Sequence, residues 1–174
     1  MCLGKERKIS FLLGIHLISS YIPFTLSYPI LPMVMERKAF PVELTGIILG
    51  VFSLPTLLLS FSFNKMVHFF GRRCIYLSGL YMITVAVICF GIIEYSDSLG
   101  VFVSIGVLSR LLVGMGMFQT KTVIFSITAK RFPDKREINK MFTYIGIWIN
   151  VAVGIGQMLG EILFEALGQN ILYP

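Results

Sequence analysis

Long apolar stretches separated by short charged segments set the pattern of this chain. The five stretches lie roughly at residues 9–34, 44–64, 74–94, 99–128 and 141–168. A helix of about 20 mostly apolar residues can cross a hydrocarbon core about 30 Å thick. The stretches lack the alternation of membrane β-strands, and backbone groups in lipid must be hydrogen-bonded within the segment or in a closed barrel. The pattern predicts an all-α, polytopic membrane helix bundle with about five transmembrane helices, forming a single domain over residues 1–174.

Composition agrees with a membrane protein. Of the 174 residues, 56% are hydrophobic and 14% charged, unlike the balance of a soluble domain. The net charge of +6 is divided among short basic clusters between the apolar stretches, which favours a lipid bilayer over nucleic acid as the partner. Cys2, Cys74, Cys89, His16 and His68 lack the spacing of a metal site or a disulfide framework. The sequence also lacks a nucleophile elbow, a phosphate loop and paired carboxylates, so we predict no metal, no cofactor and no enzyme activity.

The basic residues also predict an orientation. Eleven of the fifteen lysines and arginines precede the first stretch, separate the second from the third, or separate the fourth from the fifth. The opposite side carries only Arg37 and Lys38, while Arg110 and Lys121 lie inside the fourth stretch. Positive residues in short loops favour the cytoplasm. We therefore expect a multi-pass integral membrane protein with a cytoplasmic amino terminus, in a membrane that the sequence does not specify.

Arg110 is the first candidate for a functional residue. It lies about eleven residues into the fourth stretch, which at 1.5 Å per residue is about 16 Å deep and near the bilayer midplane. A charge there costs about 3 kcal/mol or several times more, so the guanidinium should face the bundle or a water-filled cavity. We interpret Arg110 as part of a transport pathway, with a purely structural arginine as the alternative. Lys121 lies three turns further on and should snorkel to the headgroups.

The fifth stretch carries a stripe of small and polar residues. Its members recur at helical spacing and are Gly146, Asn150, Gly154, Gln157 and Glu161. Such a stripe either packs against another helix through hydrogen bonds or lines an aqueous pathway, and both interpretations stay open. Gly156 and Gly160 add a GxxxG pair, which permits close approach of a second helix.

Prolines interrupt the first two stretches. Pro23, Pro29 and Pro32 lie in the first and Pro55 in the second. Each removes a helical hydrogen bond and crowds the preceding turn, so these helices should kink or unwind locally. Transporters use broken helices at midplane sites, although membrane helices also contain prolines without such a role. Tyr28, beside these breaks, joins Arg110, Asn150 and Gln157 as a candidate for the transport pathway.

A segment between the second and third stretches resembles a family signature. It reads NKMVHFFGRR from residue 64. The pattern is similar to the major facilitator superfamily signature between helices two and three, which has Gly, three residues, Asp, two residues and Gly-Arg-Arg/Lys. Gly71, Arg72 and Arg73 match, while Asn64 replaces the first glycine and His68 the aspartate. The resemblance implies that these five residues form a gating loop.

Two further segments extend the resemblance. In the fourth stretch, Arg110, Gly114 and Gly116 reproduce that superfamily's Arg-xxx-Gly-x-Gly pattern. In the fifth, Gly154, Gly156 and Gly160 match three glycines of its antiporter signature. The segments TLSYPILPMVMERKAF and TGIILGVFSL are similar to the first two helices of its vesicular amine transporter branch. We expect the glycines in both patterns to serve helix packing.

The resemblance implies a partial major facilitator fold and a function. That fold has twelve helices, in which one bundle rocks against a second around a midplane site, usually exchanging protons for an organic solute. We predict the amino-terminal part of a proton-coupled transporter for a small organic solute, completed by a second bundle, a second copy or a partner chain. The alternative is a non-transporting structural or accessory subunit, or a truncated remnant of a transporter. In either case, we expect this chain alone not to transport.

Overall fold

The computed structural model describes residues 3–132 and 134–171. Across these residues the secondary structure is helical, with no strand. The helices are α1 (Leu3–Arg37), α2 (Leu44–Gly50), α3 (Ser53–Phe70), α4 (Arg72–Ile92), a 3₁₀ turn (Ile93–Tyr95), α5 (Leu99–Arg131) and α6 (Lys135–Ile171). The all-α prediction is confirmed.

Five segments in the described part of the chain are long and apolar enough to span a membrane. They are Leu12–Arg37, Leu44–Phe63, Arg72–Ile92, Leu99–Arg131 and Lys135–Leu163, one for each predicted stretch. Several helices continue past the predicted stretches into the charged segments, because hydropathy marks the part of a helix inside lipid and not its last hydrogen-bonded turn.

The chain divides into two compact units. The central unit is Leu31–Ser126, and the terminal unit combines Met1–Ile30 with Ile127–Pro174. The division falls within α1 and α5, each of which contributes to both units. A single domain over residues 1–174 stays a prediction.

The first span does not unwind at its prolines. α1 is a continuous helix through Pro23, Pro29 and Pro32, so of the two predicted outcomes, a kink or local unwinding, unwinding does not occur in this helix. Unwinding in lipid would expose further backbone carbonyls that have no water to bond. The prolines remove the N–H donors only for the carbonyls four residues earlier, those of Ser19, Thr25 and Tyr28. Two hydroxyls add bonds elsewhere in the helix: the Thr25 Oγ1 donates to the Tyr21 carbonyl at 3.0 Å and the Ser27 Oγ to the Phe24 carbonyl at 2.5 Å.

The second span is interrupted where the sequence predicts it. α2 ends at Gly50 and α3 begins at Ser53. Pro55 has no N–H to donate to the Val51 carbonyl four residues earlier, and the Leu54 N–H bonds that carbonyl instead, at 3.1 Å. The Ser53 Oγ bonds the Gly50 carbonyl at 2.8 Å. The interruption predicted at Pro55 therefore appears as a two-residue break within the membrane span.

Candidate functional site

Arg110 is the most deeply buried large side chain near the middle of a membrane span. Only 1% of its surface is exposed, and it is the largest of the fully buried side chains in the described residues. It lies on α5, and its Cζ is 5.1 Å from the centroid of the Phe90 ring on α4. A guanidinium over an aromatic face is attracted by the negative charge of the ring's π-system. The structure thus places Arg110 in the protein interior.

The helix pair α4 and α5 is joined beside this arginine. The Ser109 Oγ donates a hydrogen bond of 2.9 Å to the Ala86 carbonyl, and both residues are buried. A hydroxyl-to-carbonyl bond between membrane helices contributes about 0.6 kcal/mol on average. The bond also fixes the position of Ser109, and hence of its neighbour Arg110, relative to α4.

Glycines let α4 and α5 approach closely one to two turns further on. A methyl group added at Gly116 would lie 2.5 Å from the Gly79 carbonyl oxygen and 2.8 Å from Cγ1 of Ile83. Conversely, a methyl group at Gly79 would lie 2.9 Å from the Gly116 carbonyl oxygen. Real side chains do not fit at such distances. The two glycines therefore permit a backbone-to-backbone contact, as small residues commonly do between membrane helices.

Gly114 lies against the interrupted second span. A methyl group on Gly114 would overlap the Phe52 carbonyl oxygen and lie 3.3 Å from Cγ of Pro55. Phe52 is one of the two residues between α2 and α3. The break in the second span thus presents a backbone carbonyl to α5, one turn after Arg110, and only glycine leaves room for it.

Sequence reasoning missed two buried polar residues on α5. Gln119 is 2% exposed and Thr120 is 3% exposed. The Gln119 Oε1 accepts a hydrogen bond of 3.1 Å from the Ser78 hydroxyl on α4, and the Thr120 Oγ1 bonds the Gly116 carbonyl at 2.9 Å. Their signal was their polarity inside an apolar stretch, since polar groups at membrane depth usually face the bundle interior.

The polar stripe of α6 is exposed in this chain. Asn150 and Gln157 are exposed, and the Asn150 Nδ2 donates to the Gly146 carbonyl of its own helix at 2.9 Å. Glu161 is exposed as well, and a methyl group on Gly154 would meet nothing within 4 Å. The prediction that Gly154 packs against a helix is therefore not met within this chain.

A different face of α6 packs against α1. A methyl group on Gly156 would overlap the Thr25 hydroxyl, and one on Gly160 would lie 2.6 Å from the Leu26 carbonyl oxygen. Gly154 precedes Gly156 by two residues, which at about 100° per residue turns it to the far side of the helix. The GxxxG pair therefore lies on the buried face and Gly154 on the exposed one.

The four pathway candidates are divided between the units. Arg110 belongs to the central unit, whereas Tyr28, Asn150 and Gln157 belong to the terminal unit. Tyr28 is half-buried and its ring meets Phe24 edge-on, with centroids 5.2 Å apart. Asn150 and Gln157 share the exposed face of α6 described above.

The predicted gating loop is almost entirely helical. α3 contains His68, which is exposed, and the backbone of Asn64, whose side chain lies outside the described residues; Arg72 and Arg73 begin α4. Gly71 alone separates the two helices, with φ +76° and ψ 154°. This backbone conformation favours glycine. The expectation that these five residues form a loop was wrong, because one glycine is enough to link the two helices.

A guanidinium withdrawn from lipid near the middle of a membrane span is typical of proteins that move ions or solutes. Together with five spans, it indicates a multi-pass integral membrane protein of the transport class. Residues 13–173 match the Major Facilitator Superfamily, and the chain belongs to that superfamily. Membership confirms the resemblance seen in the sequence and places the chain in a superfamily of membrane transport proteins.

Named relatives agree with this class. The chain is 25% identical over 146 residues to MFS-type transporter SLC18B1 of Mus musculus and equally to that of Rattus norvegicus, covering 82% of this chain and 31% of each relative. It is 24% identical over 156 residues to the Homo sapiens protein of the same name, covering 88% of this chain and 33% of the relative. The chain thus spans about a third of these relatives. No solved structure is significantly similar to it.

Proposed function

We propose that this chain supplies the amino-terminal helices of a secondary transporter that exchanges protons for a small organic solute. The observation that carries the proposal is Arg110, which is 1% exposed within a membrane span. Keeping a guanidinium at that depth costs about 3 kcal/mol or more, and proteins rarely accept such a cost without a role in moving charge. The transporter names of the relatives support the same class.

Arg110 holds positive charge inside its membrane span. In this role it attracts an anionic group of the solute or of the protein, and this attraction changes when a proton binds to that anionic group. The Phe90 ring 5.1 Å from its Cζ supplies an apolar, electron-rich wall. Asn150 serves as a hydrogen-bonding group, because its amide keeps an oxygen and a second N–H beyond the bond to Gly146. Gln157 on the same exposed face offers the same pair of groups.

A second bundle completes the transporter, whether it belongs to the same polypeptide, to a second copy or to a partner chain. Alternating access in this type of fold requires two bundles moving around a shared site. The exposed Asn150, Gln157 and Glu161 on α6 support an assembly, since polar groups facing acyl chains are costly. The same face also supports the second candidate function, a non-transporting accessory subunit. Transport measurements on defined assemblies separate these two functions.

The test is uptake by proteoliposomes of known oligomeric state. The 174-residue chain is reconstituted as a monomer, as a dimer and with a second chain that supplies the remaining helices, under a pH gradient and with a panel of organic cations and organic anions. We expect saturable, gradient-driven uptake only in an assembly of two bundles. Uptake by a proven monomer would contradict the two-bundle requirement, and inertness of every assembly would favour the accessory subunit.

Arg110→Gln is the matched variant for that assay. We expect it to abolish uptake by the active assembly, because the buried charge is gone while the side-chain size is roughly kept. Lys121→Gln is the control, since it removes one positive charge from an exposed position on the same helix. Equal loss of uptake in both variants would show that charge on α5, and not the position of Arg110, is what matters.

A further inference from the structure

We propose that the turn between α3 and α4 is a binding site for the headgroup of an anionic phospholipid. We call this surface the basic turn; it comprises Lys65, His68, Phe69, Phe70, Arg72 and Arg73. Lys65, His68 and Arg73 are exposed and Arg72 is half-buried. Lys65, His68 and Phe69 are spaced three and four residues apart on α3 and so lie on one face of that helix.

The helices that form the basic turn carry no acid of their own. Residues 44–93, which include α2, α3 and α4, contain no aspartate and no glutamate. The nearest acids along the chain after the turn are Glu94 and Asp97, and α4 places about 30 Å between them and Arg72. In the part of the chain that the structure describes, Lys65, Arg72 and Arg73 make no ion pair and no side-chain hydrogen bond.

Beyond the other end of α4, a basic side chain is already bonded within the protein. There, the Lys38 Nζ donates to the Ser96 carbonyl at 2.6 Å and lies 3.8 Å from the Asp97 carboxylate. That lysine is already bonded within the protein. The cations of the basic turn instead keep their donors available for an external anion, and phosphate is well matched to the planar donor fork of arginine.

Two aromatic rings set the depth of the basic turn. Phe69 is 83% exposed and Phe70 is 57% exposed, and their ring centroids lie 5.0 Å apart. They occupy the last turn of α3, after Lys65, the first charged residue of that helix. Exposed rings beside basic residues at a span's end match the boundary between acyl chains and headgroups, where apolar groups enter lipid and charges meet phosphates.

A packed base holds the basic turn in place. Phe63 of α3, Ile75 of α4 and Val123 of α5 form a buried cluster directly beneath it. The Phe63 ring also meets Phe118 edge-on, with centroids 5.4 Å apart. With Gly71 as the only linking residue, the backbones of the two arginines keep a fixed position relative to that of Lys65. Little backbone freedom is lost on binding, which favours a defined lipid site over diffuse attraction.

The test counts lipids bound to the purified 174-residue chain. Native mass spectrometry follows a titration with phosphatidylserine or phosphatidylcholine in detergent. We expect the chain to bind phosphatidylserine in preference to phosphatidylcholine. In the triple variant Lys65→Gln, Arg72→Gln, Arg73→Gln, the ratio of bound phosphatidylserine to bound phosphatidylcholine should fall about fivefold for each charge removed. Arg72→Lys with Arg73→Lys keeps the charge but loses the planar donor fork, so its preference should lie between those of the unmodified chain and the triple variant.

A matched control removes three other basic residues. Lys135, Arg136 and Lys140 are exposed on α6 but interleaved with Asp134 and Glu137. Their replacement by glutamine should change the preference for phosphatidylserine by less than about fivefold, which is the effect expected for a single charge. Equal loss in both triple variants, or equal retention of the two lipids by the unmodified chain, would overturn the proposal. Displacement of the lipid by soluble glycerol phosphate would overturn it as well, because it would indicate a site for free anions.

Discussion

Gly116→Ala is the most direct test of the close contact between α4 and α5. The added methyl group would lie 2.5 Å from the Gly79 carbonyl oxygen and 2.8 Å from Cγ1 of Ile83. Ordinary contacts between such atoms are near 3.5–4.0 Å, so the helices must move apart by about 1 Å or the backbone must shift. Overpacking of this kind typically costs about 1–3 kcal/mol.

Intrinsic helix propensity acts in the opposite direction and must be separated from this cost. Replacing glycine by alanine within a helix is favourable by up to about 1 kcal/mol. Gly91→Ala is the matched control, because Gly91 lies on α4 and a methyl group there would meet nothing within 4 Å. We therefore expect Gly116→Ala to be about 1–3 kcal/mol less stable than Gly91→Ala.

The free energies of unfolding can be compared in mixed micelles. Titration with a denaturing detergent, followed by circular dichroism and by the fluorescence of Trp148, gives a midpoint for each variant. The single tryptophan reports on the terminal unit, where a methyl group on Gly14 would lie 2.6 Å from its ring. Equal stability of the two alanine variants would refute the close contact of α4 and α5 at Gly116.

Two further predictions concern orientation and the bond beside Arg110. With single cysteines introduced in a cysteine-free background, we expect a membrane-impermeant reagent to label residue 97 but not residue 135 from outside intact cells; the reverse pattern would refute the cytoplasmic amino terminus. Ser109→Ala should lower the free energy of unfolding by about 0.6 kcal/mol through loss of the bond to Ala86. The exposed Ser104→Ala is its control, since the Ser104 hydroxyl bonds only its own helix, and equal effects would contradict a role for the bond between helices.

The number and class of the helices were predictable because lipid imposes a simple rule. A span must be long, apolar and internally hydrogen-bonded, and each predicted stretch became one span. The burial of Arg110 followed from the same rule, since a charged side chain that faces acyl chains at that depth costs more than one that faces the protein interior. These conclusions depend on the solvent and need no knowledge of which helices are neighbours.

The faces of the helices depend on their neighbours and were less predictable. Gly154 and Gly156 are alike in sequence, yet only Gly156 meets α1, because Thr25 and Ile22 lie opposite it. Likewise Pro23 and Pro55 both lack an N–H, but the helix breaks only near Pro55. A missing N–H therefore does not by itself decide whether a membrane helix breaks, and the sequence around the two prolines did not distinguish these outcomes.

The break at Val51 and Phe52 gives the second span two parts with different attachments. The part before the break, α2, lies beside α5 at Gly106, where an added methyl group would be 3.3 Å from Cγ2 of Ile48. The part after the break, α3, is tethered to α4 by a single residue, Gly71. Between the two parts, Val51 and Phe52 keep right-handed helical φ and ψ angles, and the Phe52 carbonyl lies against Gly114 of α5. Phe63 of α3 also packs against Val123 of α5, so α5 is a common support along which both parts of the second span are aligned.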